Sequence, residues 1–163
     1  AITDVDELKS KVIERGLYSE KELEECRTVR TLVDFLYKRK IRMDIVNPTI
    51  IYNYPAYLMP LARRNDEDER IIDVFQFVAG GAELVKAYSE LVDPILQRKL
   101  LEDQLKEKAL GDDETMDVDE DFLLAMEHGM PPISGLGFGI DRFIQFIYDL
   151  PNVRDTVLFP LMR

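Results

Sequence analysis

The sequence predicts an α+β fold, an antiparallel β-sheet flanked by helices, on three observations. Asp73–Val78 alternates apolar and polar residues and leads to Gly80-Gly81, so it reads as a strand and tight turn with Ala82–Leu91 returning. Gly135-Leu-Gly-Phe-Gly139 reads as a further strand, after which the period changes from that of a strand to that of a helix. Helical patterns stand before the hairpin and between it and the glycine strand, an order typical of α+β domains. With 163 residues the chain fits one domain with a sizeable core.

In chain order, Thr3-x-x-Asp6 is a capping-box-like start, with Val5, Leu8, Val12 and Ile13 at helical spacing and Gly16 as the stop. Ser19-x-x-Glu22 is a second box and opens a helix carrying Leu23, Cys26, Val29, Val33 and Leu36, broken at Asn47-Pro48. Arg27, Arg30, Lys38, Arg39, Lys40 and Arg42 form the one locally basic stretch, read as a solvated helix face. Thr49–Tyr54 is rich in β-branched and aromatic residues and predicts a strand. Pro55 and Pro60 bracket an irregular connection, and Asp66-Glu-Asp-Glu69 reads as an exposed loop.

After the hairpin, Asp93-Pro94 starts a helix with Ile95, Leu96, Leu100, Leu101 and Leu105 that ends near Gly111. Residues 112–121 are acidic, and Asp119 caps a short helix through Met126, stopped at Gly129. Pro131-Pro132 leads into the glycine strand, whose helix carries Ile140, Phe143, Ile144 and Ile147 as one apolar stripe. Pro151 ends that helix, and Val157–Pro160 is a short apolar segment.

The charge balance narrows the partners. There are 21 basic and 32 acidic residues, a net charge of −11, which argues against a nonspecific nucleic-acid binder because phosphate affinity rests on Lys and Arg. Cys26 is the single cysteine, so no internal disulfide forms and a reducing compartment is expected. There is no signal-peptide pattern and no apolar run long enough for a membrane span, which points to a soluble, cytoplasmic protein. A chain that begins with Ala1 reads as a fragment.

Gly135, Gly137 and Gly139 leave one strand face without side chains, so a flat ligand or another backbone can approach closely. Arg142 is presented where the strand runs into its helix, a junction suited to an anionic ligand with a planar ring. The alternative is a strand–helix turn whose arginine makes a surface ion pair. Glu83 and Glu90 are candidate Mg²⁺ ligands, although an odd offset of seven residues puts them on opposite faces of a regular strand. A bulge between Lys86 and Tyr88 would reconcile them; otherwise they are surface carboxylates. His128 is the only histidine and reads as a helix-end residue, which makes a His-based nucleophilic centre or a zinc site a poor fit.

Taken together, these stretches resemble the class II aminoacyl-tRNA synthetases. Gly135–Arg142 is similar to their third signature motif. The lysyl branch is indicated by Pro48-Thr49, Tyr54-Pro55, Pro60-Leu-Ala-Arg63, Ala87-Tyr-Ser-Glu-Leu91 with Asp93-Pro94, Gly111-Asp-Asp-Glu114, Asp119-Glu-Asp121, His128-Gly-Met-Pro-Pro132 and Arg154-Asp155 with Leu158-Phe-Pro160. The likeness runs in register from residue 45 to 163 and is weaker before that. It implies the C-terminal half of a class II catalytic domain, with residues 1–44 a helical insertion and residues 45–163 the sheet, helices and third motif.

The resemblance implies a reaction and a site. Lysine and ATP give lysyl-adenylate and pyrophosphate, and the lysyl group passes to the 3′ end of tRNA(Lys). Arg142 would contact the ATP phosphates and Gly135, Gly137 and Gly139 would floor the pocket. Glu83 and Glu90 would bind Mg²⁺, Glu90 would also help to hold the substrate lysine, and Tyr88 would form an aromatic wall. At Lys86 the family usually has an asparagine that contacts the substrate; Val92 and Met59 also replace a usual polar residue and a serine. A homodimer is implied for the parent. The first and second class motifs and the anticodon-binding barrel find no match here. The chain alone is therefore expected not to aminoacylate, and its half-sheet to expose an edge open to self-association. Two other readings remain at this stage: a paralogue that lysylates a translation factor, and a free-standing module that binds nucleotide or a partner.

Overall fold

The computed structural model describes residues 4–59, 61–108 and 118–160. Contacts divide the chain into two units, Ala1–Arg39 with Val92–Pro131, and Lys40–Leu91 with Pro132–Arg163.

The first unit is helical. Helix α1 (Val5–Glu14) is capped by Asp4, whose carboxylate accepts from the backbone of Asp6 and Glu7. The expected cap, Thr3, lies outside the described residues. Ser19 and Glu22 do form a box, with the Ser19 amide 2.8 Å from Glu22 Oε2, but it opens only a short turn at Lys21–Leu23. The next helix, α2 (Val29–Leu36), starts afresh at Thr28, which exchanges hydrogen bonds with Thr31. The Thr28 side chain accepts from the Thr31 amide, one of the orphan donors that this new helix start creates.

Helix α2 also ends well before Asn47-Pro48, in a wide turn at Tyr37–Ile41 followed by a tight one at Arg42–Asp44. Val12, Leu23, Cys26 and Leu32 form the core, with Leu8, Tyr18 and Phe35 against it. Of the basic stretch, Arg27, Lys38, Arg39 and Lys40 are exposed, Lys38 pairing with Asp34 and Lys40 with Asp44, whereas Arg30 and Arg42 are half-buried and do not belong to a solvated face. Helix α3 (Pro94–Lys108) is capped by Asp93, and α4 (Glu120–Glu127) by Asp119. Gly129 follows α4 with φ 112°, a left-handed stop. The predicted end of α3 near Gly111 lies outside the described residues.

The second unit is a four-stranded antiparallel sheet in the order β1 (Thr49–Pro55), β2 (Ile71–Ala79), β3 (Ala82–Ser89) and β4 (Ser134–Phe138). Gly80 and Gly81 make the β2–β3 turn with φ 55° and 73°, which a side chain would strain. In the loop before β2, hydrogen bonds from the Arg70 guanidinium and then from its backbone amide hold the Asp68 pKa down at about 2. Helix α5 (Ile140–Ile147) follows β4, and the Gly139 amide donates to the Leu84 carbonyl at 2.8 Å. The apolar stripe of α5 is only partly covered, since Ile140 and Ile147 stay exposed and Phe138 meets Phe143 at 5.3 Å. Among the described residues no helix is long and apolar enough to cross a membrane.

Leu32 is fully buried in the helical core. Leu32→Ala is expected to lower the unfolding free energy by about 2–5 kcal/mol in a urea titration. A loss below about 1 kcal/mol would mean that the site collapses around the cavity and that Leu32 is not its centre.

Candidate functional site

Two irregularities in the sheet build the site. Phe77 pairs with Val85 while Val78 pairs with Glu83, so Leu84 is an extra residue in β3. This is the bulge that the glutamate spacing requires, but it lies at Leu84 and not between Lys86 and Tyr88. Its effect is the same. Glu83 is turned to the side that also carries Lys86 and Tyr88, with Gln76 and Val74 as their partners on β2. On the other flank, Lys86 pairs with Gly137 and Tyr88 with Gly135, so the bare face of β4 lies beside those two side chains.

The second irregularity is in β1. The register shifts between Tyr52 and Tyr54, and Asn53 between them has φ 59°. Tyr52 and Tyr54 would share a face in a regular strand. Here Tyr52 is 67% exposed and Tyr54 only 8%, because the left-handed Asn53 turns Tyr54 toward the row of Ile72, Val74 and Gln76.

The glycines differ in what they make room for. A Cβ on Gly135 would stand 2.2 Å from Glu90 Oε1 and 3.0 Å from the Tyr88 ring, so Gly135 seats those two side chains. A Cβ on Gly137 would have nothing nearer than the Lys86 carbonyl at 3.9 Å, so the space above it is open. Gly139 lies just past the end of β4. It precedes α5, and its Cβ would approach the Leu84 carbonyl and the Arg142 side chain.

Arg142 donates from Nη1 to the Glu83 carbonyl at 3.2 Å, and its side chain remains exposed at the start of α5. It therefore borders the bulge that carries Glu83. Lys86 and Glu90 are partly buried, and among the described residues neither side chain makes a hydrogen bond or ion pair. An unpaired cation and an unpaired carboxylate on either side of Tyr88 suit a ligand that carries both charges. Glu83 differs, since its Oε2 accepts from Gln76 Nε2.

The structure thus brings together Glu83, Lys86, Tyr88, Glu90, Gly135, Gly137 and Arg142, and leaves Gly139 at the helix junction. Among the described residues no group of three or more His, Cys, Asp or Glu side chains could hold a metal alone. Glu83 and Glu90 share a face but stand roughly 20 Å apart along the strand, so each fits Mg²⁺ only as a single carboxylate, with substrate phosphates completing the shell. His128 is an exposed cap of α4 and takes no part. A cleft of about 360 Å³ is lined mainly by residues of the opposite face, Tyr52, Phe75 and Ala87 among them, and also touches Val74 and Tyr88. Gln76 and Tyr54 were missed from sequence. The signal available was a glutamine alternating with Ile72, Val74 and Val78 on a buried strand face.

An antiparallel sheet with a glycine strand that leads through a junction arginine into a helix is the arrangement of class II synthetases. The chain matches the family model for tRNA synthetases class II (D, K and N) over residues 8–163, and it belongs to that family. It is 44% identical over 144 residues to the lysine–tRNA ligase of Bacillus subtilis (strain 168), covering 88% of this chain and 29% of that protein. With the lysine–tRNA ligase of Staphylococcus aureus (strain MW2) the identity is 40% over 158 residues, 97% of this chain and 31% of the relative. With that of Oceanobacillus iheyensis it is 46% over 132 residues, 81% and 27%. The chain thus spans under a third of the length of these relatives.

Gly135→Ala is expected to leave the sheet folded, because the nearest atom is the mobile end of Glu90, but to push that carboxylate and the Tyr88 ring aside. A crystal structure of the variant with both side chains unmoved would contradict the seating role.

Proposed function

We propose that this chain supplies the nucleotide- and lysine-binding part of an enzyme that activates lysine with ATP and passes it to tRNA(Lys). The supporting observation is the single sheet face that carries Glu83, Lys86, Tyr88 and Glu90 beside the open backbone at Gly137. A planar base can lie against Gly137, where no Cβ lifts it away, with Glu90 and Tyr88 seated over Gly135 at its side. Arg142, at the end of that floor, pairs with the ATP phosphates through charge-assisted hydrogen bonds. Glu90 takes the ammonium of the lysine side chain and Tyr88 walls its aliphatic stem. Lys86 offers an ammonium to the carboxylate end, where an asparagine is usual in the family.

Glu83 and Glu90 would hold Mg²⁺, which when bound supplies positive charge to the phosphate oxygens. The residues of the chain act by position and charge. They set the lysine carboxylate against the α-phosphorus of ATP; the new carboxylate–phosphorus bond forms as the bond to pyrophosphate breaks, and the 3′ hydroxyl of the tRNA then bonds to the lysyl carbonyl carbon, losing its proton, as the bond to AMP breaks and AMP leaves. We further take residues 1–44 as a helical insertion and residues 45–163 as the C-terminal portion of the catalytic domain, in a cytoplasmic homodimer. The isolated 163-residue chain lacks matches to the first two class motifs and is inactive in this reading.

At the full length its gene encodes, the protein is expected to catalyse lysine-dependent ATP–pyrophosphate exchange, whereas the 163-residue chain alone is not. No exchange by the full-length protein would overturn the activity, and turnover by the isolated chain would overturn its inactivity. A second test isolates Lys86. Lys86→Met is expected to weaken lysine binding about tenfold, the worth of one hydrogen bond between charged groups. Binding of 1,5-diaminopentane, which lacks the carboxylate, should stay unchanged in competition with lysine. Equal losses for both ligands would remove Lys86 from the carboxylate.

A further inference from the structure

We propose that Gln76, oriented by Tyr54, is a positioning residue that holds Glu83 for its ligand, a role that rests on the function proposed above. Strand β2 buries Ile72, Val74, Gln76 and Val78 on one side, and Gln76 is 3% exposed in this otherwise aliphatic row. A buried amide left without partners costs about 1–3 kcal/mol. Gln76 has them at both ends: the Tyr54 hydroxyl donates to its Oε1, and its Nε2 donates to Oε2 of Glu83.

Chemistry fixes which way the amide points. An ionised carboxylate only accepts, so the end of Gln76 that meets Glu83 has to be the NH₂. The carbonyl end then needs a donor, and the Tyr54 hydroxyl provides it. Reversed, the amide would set its oxygen against a carboxylate oxygen. Tyr54 therefore acts on Glu83 through Gln76, and Asn53, with its left-handed backbone, is what turns Tyr54 inward.

The consequence for Glu83 is specific. Its Oε2 is engaged by the protein, which leaves Oε1 for a metal ion or other ligand. Its main chain is fixed as well, by the Leu84 bulge and by Arg142 Nη1 on the carbonyl at 3.2 Å. Side-chain hydrogen bonds thus run from Tyr54 on β1 through Gln76 to Glu83, whose main-chain carbonyl is in turn held by Arg142 on α5.

The experiment is titration calorimetry of Mn²⁺–ATP binding to the protein at the full length its gene encodes, in a double-mutant cycle of Gln76→Leu and Glu83→Gln. Gln76→Leu is expected to weaken binding roughly tenfold, the low end for removing a partner of a metal ligand. In the Glu83→Gln background the same change should add less than about twofold, because its effect passes through that carboxylate. Tyr54→Phe keeps the ring in the core, and is expected to weaken binding roughly two- to threefold, as for one neutral hydrogen bond. It takes the place of Gln76→Leu in the cycle if that variant does not fold. Equal losses in both Glu83 backgrounds would overturn the positioning role and leave the proposed function standing. A wild-type protein that binds Mn²⁺–ATP no better than Glu83→Gln would instead remove Glu83 from the ligand site, and the positioning role with it.

Discussion

The register of β3 is the constraint on which the site depends. Side chains alternate strictly along a strand, so seven residues separate Glu83 and Glu90 onto opposite faces unless one residue is absorbed. Leu84 is that residue, and it is buried at 1% exposure, so the bulge is held by packing as well as by pairing. The amide of Gly139 donates to the carbonyl of the same Leu84, which ties the start of α5 to the bulge. The position of Arg142 follows from that tie. One extra residue therefore fixes a carboxylate, a cation and the entry to the last helix together.

Around this irregularity the sheet divides its labour between packing and openness. The half near β1 and β2 is filled by Tyr54, Ala62, Ile72 and Val74, with Leu58, Met59 and Tyr88 against them. Beside β4 the same face is open, since a Cβ on Gly137 would meet only the Lys86 carbonyl among the described residues, at 3.9 Å. Glycine in a strand interior costs about 0.5–1 kcal/mol relative to alanine. At Gly135 that cost is matched by the seating of Glu90 and Tyr88, and at Gly137 no side chain among the described residues matches it. A destabilising choice with no internal return is what a ligand surface requires.

Polar groups in the packed half follow the same logic. Gln76 and Tyr54 are tolerated in an aliphatic environment because each satisfies the other and the network ends on a charged group at the edge of the site. Lys86 and Glu90 are the opposite case. Both are partly buried and, among the described residues, unpaired, although acidic and basic side chains elsewhere on the chain pair readily, as Arg98 does with Glu120.

Local rules determined much of this protein in advance. The Gly80-Gly81 hairpin, the Asp93 and Asp119 caps and the change of period at Gly139 were all legible, because turns, caps and periodicity are settled by neighbouring residues. The ordered family motifs imply Arg142, Glu83 and Glu90 as site residues by resemblance alone. What the sequence left open were choices between local solutions of similar energy. Thr28 and Ser19 are both competent caps, and the helix began at Thr28 because Leu32 could then enter the core with Leu23 and Cys26. The bulge at Leu84 and the turned backbone of Asn53 are decided by pairing across strands distant in sequence, as is the burial of Gln76. No local pattern encodes cross-strand register, so only the tertiary structure could place these residues on one face.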